Sequence, residues 1–78
     1  MSLYNIITDI VKSIQTETYN PKLSIVVLNF YDAVIVNVRY DGALSLLSCH
    51  FDRGATYTSI RIKDDIQNAV NKSLKINQ

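Results

Sequence analysis

With 78 residues, 47% of them apolar and 19% charged, the chain has room for one small globular domain, residues 1–78, and none for a second. Its single cysteine, Cys49, excludes an internal disulfide, so a reducing, cytoplasmic setting is expected. A formal net charge of +1 argues against both a polyanion mimic and a strongly basic nucleic-acid binder.

A chain this short buries only roughly 60–65% of the surface its unfolded form exposes, so its stability is marginal unless something adds to the core. Residues 1–12 carry Asp9 inside an apolar stretch and have no basic segment ahead of it, unlike a secretory signal. No apolar run approaches the ~18 residues that cross a bilayer, so no membrane partner is expected. Internal repeats and low-complexity tracts are absent from the sequence. Ile and Asn are abundant, a bias often produced by AT-rich coding DNA.

The first element is a predicted helix over 3–17. Leu3, Ile6, Ile7, Ile10 and Ile14 recur at three-and-four spacing, with Val11 beside them, and polar residues take the other face. Ser2 is placed to cap its N-terminus, and Asn20-Pro21 ends it. From residue 22 the period changes to two. Leu23, Ile25 and Val27 alternate with Ser24, Val26 and Leu28, and Ala33 to Tyr40 follows as a second strand. The joint at Asn29-Phe30-Tyr31-Asp32 has no glycine, and one long bent strand competes with a turn there. Asp41-Gly42 is a strong tight-hairpin signal, because Asp-Gly supplies positive φ cheaply. Ala43 to Phe51 reads as a third strand, in which adjacent Leu46-Leu47 break the alternation. Asp52-Arg53-Gly54 turns the chain into a fourth strand, Ala55 to Ile62. A final helix is expected to start at Asp64, with Gln67 three residues on in a capping-box-like pair, and to bury Ile66, Ala69, Val70, Ser73 and Leu74.

The expected fold class is therefore α+β: a four-stranded antiparallel meander flanked by an N-terminal and a C-terminal helix (α-β-β-β-β-α), with both helices on one sheet face. The covered face would hold Leu23, Ile25, Val27, Val34, Val36, Val38, Thr58, Ile60 and Ile62. The open face would carry Val26, Leu28, Phe30, Ile35, Asn37, Arg39, Tyr57, Ser59 and Arg61. A half-open sheet is normally polar outside, so apolar residues there point to an interface. The competing reading is that a helix covers this face as well.

Chemical motifs are poor. Cys49 and His50 are the only thiol and imidazole, and neighbours on a strand point to opposite faces, which disfavours a nucleophilic dyad. One Cys and one His cannot fill a zinc site, and Asp64-Asp65 alone make a weak hard-metal signal. None of the glycine-rich phosphate loops or hydrolase signatures occurs. No enzyme activity, metal or cofactor is expected.

Two functional readings remain. The first is a non-enzymatic protein-interaction module that self-associates, as a homodimer or larger homo-oligomer, through Val26, Leu28, Phe30, Ile35 and Tyr31. It would act on a larger protein partner as a small inhibitor or accessory protein, by analogy with those that phages and mobile elements encode. The second is a single-stranded nucleic-acid binder in which Arg39, Tyr57 and Arg61 share the sheet face, with Arg53 and Lys63 extending a basic edge.

Overall fold

The computed structural model describes residues 2–42 and 46–76. Helix α1 spans Leu3–Thr18 and opens as its sequence predicts, with the Ser2 hydroxyl accepting from the Asn5 N–H at 3.2 Å. It closes on Tyr19, which takes the left-handed conformation (φ 45°, ψ 53°) and donates its N–H to the Gln15 carbonyl. Pro21 bars further helix, and Asn20 turns the chain by accepting from the Lys22 N–H through Oδ1 and from the Leu23 N–H through its carbonyl.

Strands β1 (Leu23–Asn29), β2 (Ala33–Tyr40) and β3 (Leu47–Asp52) form an antiparallel sheet in that order. The glycine-free joint is a turn: the Phe30 N–H donates to the Ala33 carbonyl across Tyr31-Asp32. The second connection corrects the tight hairpin expected at Asp41-Gly42. Both residues adopt positive φ, 49° and 67°, as such a turn requires. Yet Val38 lies opposite Leu47, two places beyond the Ser45 that a two-residue loop would have set there. The third strand consequently begins at Leu47, four residues later than expected, and the rest of its expected start, 43–45, lies outside the described residues. The broken alternation resolves here: exposed Leu46 precedes the strand, and Leu47, Cys49 and Phe51 then face the core side.

The expected fourth strand is a larger correction. The described residues make three strands, so the order is α-β-β-β-α. Residues 53–58 form the connection, and helix α2 occupies Ser59–Ile76. Its cap is Thr58, whose Oγ1 accepts from the Arg61 N–H at 3.1 Å, so Asp64 lies inside the helix and caps nothing. The apolar period of four begins at Ile62 and continues through Ile66 and Val70, all fully buried. Thr58, Ile60 and Ile62 merely imitate a strand, and Ile60 is 75% exposed on the helix's outer side.

Ile7, Val11 and Ile14 of α1 and Ile62, Ile66 and Val70 of α2 meet Leu23, Ile25, Val34, Val36, Val38 and Phe51 in one core. Helix α1 lies on β1, α2 lies on β2 and β3, and the helices touch each other. Two layers result, with both helices on the same sheet face as expected.

Candidate functional site

The pleat that turns Ile25, Val34, Val36 and Val38 into the core turns their neighbours outward. The register sets the outward residues in rows: Val26 beside Asn37 and Ser48, Leu28 beside Ile35 and His50, and Ser24 beside Arg39. No described helix packs on this side. Val26 and Phe30 are each 48% exposed, and Leu28 and Ile35 are half-buried by each other and their strand neighbours. Apolar and polar residues are not mixed at random here. Val26, Leu28 and Phe30 follow β1 and its turn, with Ile35 beside Leu28 on β2, whereas β3 presents Ser48, His50 and Asp52, all exposed; Ser24 on β1 and Leu46 just ahead of β3 are the exceptions. Asn37 sits between the two halves, its Oδ1 accepting from the Ser48 hydroxyl at 2.7 Å.

Four of the five residues expected to form an interface, Val26, Leu28, Phe30 and Ile35, thus lie together on the open face or its end. The fifth, Tyr31, is fully exposed at the tip of the β1–β2 turn. Two shallow depressions mark the face, one lined by Ser24, Val26, Asn37, Arg39 and Leu46, the other by Phe30, Asp32, Ala33, Ile35, His50 and Asp52.

The residues expected to hold nucleic acid do not converge. Arg39 lies on the open face, but Tyr57 and Arg61 left it when the fourth strand became a loop and a helix. The Tyr57 ring stacks edge-on against Phe51 at 5.3 Å between centroids, and its hydroxyl accepts from the Asp52 N–H. Arg61 pairs with Asp65 one turn along α2, at 3.5 Å. Arg53 acts as a clamp: its Nε donates to the Phe30 carbonyl at 3.2 Å and its Nη2 to the Asn29 side-chain oxygen. That clamp joins two turns far apart in sequence, and no periodicity could have announced it.

Cys49 and His50 point to opposite faces, as neighbours on a strand must. The Cys49 thiol lies on the helix side and donates to the Asp65 carbonyl at 3.6 Å. Burial, and secondarily the Asp65 carboxylate, push its pKa above the ordinary thiol value, away from the thiolate a nucleophile needs. Among the described residues no three His, Cys, Asp or Glu side chains gather as a metal site would require, and no helix is long and apolar enough to cross a membrane. No protein-family model, curated protein or solved structure matches the chain.

Proposed function

We propose that this chain is a non-enzymatic protein-interaction module whose contact surface is the uncovered sheet face. The observation that carries the reading is the apolar stripe Val26, Leu28, Phe30 and Ile35 on a side that no described helix covers. Such a stripe on a small domain costs solubility where it stays wet, whereas burial against protein contributes roughly 1.5–3 kcal/mol for each side chain fully removed from water. Val26 and Phe30 are already about half covered, so each retains about half of that range for association. The face self-associates and also docks on a larger protein, whose working surface the small domain occupies as an inhibitor or accessory subunit would.

Light scattering of the purified chain across micromolar concentrations tests this. The wild type is expected to exceed monomer mass. The double variant Phe30→Asp, Ile35→Asp is expected to lose association through this face while keeping its helical circular dichroism, because neither side chain belongs to the core. A wild type that stays monomeric and captures no protein overturns the reading.

A further inference from the structure

We infer that the free edge of β1 pairs antiparallel with β1 of a second copy, joining two three-stranded sheets into one of six strands. The argument starts from the direction of the backbone groups. The Phe30 N–H bonds to the Ala33 carbonyl and the Asp41 N–H to the Lys22 carbonyl, so the even-numbered residues of this stretch turn their N–H and C=O groups toward β2. Ile25, Val27 and Asn29 therefore aim both groups outward, and Leu23 aims its carbonyl outward while its N–H is held by Asn20. Among the described residues nothing hydrogen-bonds the outward groups of Ile25 or Val27.

The opposite edge of the sheet is treated differently. On β3 the outward N–H of Asp52 is taken by the Tyr57 hydroxyl, and its carbonyl by the Ala55 N–H. That edge is short, partly capped, and carries a charge. The seven residues of β1 include no charge, no proline and no bulge, and all seven keep register with β2. Folded domains guard edges with such devices because an unguarded one is a template for another strand.

A second copy fits this edge better than an unrelated strand, for a reason written on the open face. Two-fold pairing about Val26, the midpoint of β1, sets Ile25 against Val27 of the other copy, so their outward groups bond in pairs, and Leu23 against Asn29, whose N–H meets the outward Leu23 carbonyl. It also keeps both helix layers on one side. The apolar stripe runs along β1 and its turn, with Ile35 beside Leu28 on β2. Two-fold pairing sets Val26 against Val26 and Leu28 against the other copy's Ser24, so the two stripes meet through Val26 as one diagonal central band, with Ser48, His50 and Asp52 of each β3 at the margins. An apolar centre with a polar rim is the anatomy of a protein-binding surface. One open face measures only about 23 Å by 14 Å, from seven residues along and three strands across. That footprint is well below the ~800 Å² each partner contributes to a standard stable interface. The joined sheet doubles it to about 640 Å², much nearer that size. The inference adds a second surface to the proposed function and stands on different atoms, backbone groups at an edge.

Amide hydrogen exchange resolved by residue tests it on the unmodified chain. Ser24, Val26 and Leu28 are expected to be protected at every concentration by the ladder to β2. Ile25, Val27 and Asn29 are expected to slow by about tenfold or more between micromolar and millimolar chain, as the edge pairs. Val27→Pro deletes an outward N–H without touching the ladder. It is expected to abolish that protection and lower the assembly mass with circular dichroism unchanged. Ile25 and Val27 amides that exchange equally fast at both concentrations overturn the inference and leave the edge to a strand from another protein. If the chain nevertheless associates and Phe30→Asp, Ile35→Asp reverses it, the open-face reading stands and the edge inference alone fails.

Discussion

Arg53 illustrates how a side chain that looks available can already be engaged. A guanidinium offers several donors in a rigid fork, and here two of them hold the Asn29 side chain and the Phe30 carbonyl at the end of the apolar stripe. The aromatic ring of Tyr57 is likewise committed, packing on Phe51 while its hydroxyl accepts the outward Asp52 N–H of the β3 edge. Cys49 belongs to the same class: on β3 under α2, it serves packing, and its thiol is favoured in the neutral form. The sign of its pH effect follows. Because the folded state raises the thiol pKa, its contribution to stability is intact below the unfolded thiol pKa and is lost as pH rises past it. Urea denaturation on the alkaline side is expected to show a falling stability in the wild type that is shallower in Cys49→Ala. Parallel pH profiles for the two proteins would contradict this account.

At the scale of elements, α2 decides the architecture. Ile60 and Ile62 would both face the core of a four-stranded sheet, but on a helix capped by Thr58 they are separated by 200° and only Ile62 is buried. Ile60→Asp is therefore expected to change stability by no more than about 0.5 kcal/mol, since it adds an acidic group to the first turn of a helix. Ile62→Asp should lose the roughly 2–5 kcal/mol of a deleted core side chain and bury an unpaired charge as well, enough to unfold so small a domain. Thermal melts of the two variants check this, and equal damage from both would restore the fourth strand. The sequence reads correctly wherever one periodicity runs long enough to dominate: α1, β1, β2 and the later turns of α2 are all legible. It misleads over Ala55 to Ile62, where β-branched residues at every second place coincide with the first turn of a helix. Asp64 with Gln67 imitates a cap, and Thr58, the real one, hides inside the imitation strand. Likewise, the place of Val26, Leu28 and Ile35 on the open face is legible because residues 23–28 and 34–39 alternate, with Phe30 following at the end of β1, whereas Arg39, Tyr57 and Arg61 share a face only if the fourth strand exists.

For the molecule as a whole, the arrangement of layers leaves one side of the sheet with a division of labour across it. Leu46 aside, the side toward β3 is polar, and the side toward β1 carries Val26, Leu28 and Phe30 besides Ser24 and ends at an unguarded edge. A domain of 78 residues gains its core from two helices on one face, and what remains outside is the surface available for work. The central claim is that this surface is wet in the lone subunit and covered by protein when partners are present. Solvent paramagnetic relaxation of methyl groups measures that directly, with a soluble gadolinium chelate and the chain at rising concentration. The account predicts strong relaxation of the Val26, Leu28 and Ile35 methyls in dilute solution, shielding of the same methyls at high concentration, and shielding of the Ile7 and Ile66 methyls throughout. Val26 and Ile35 methyls shielded even at the lowest concentration, or equally relaxed at every concentration, would contradict it.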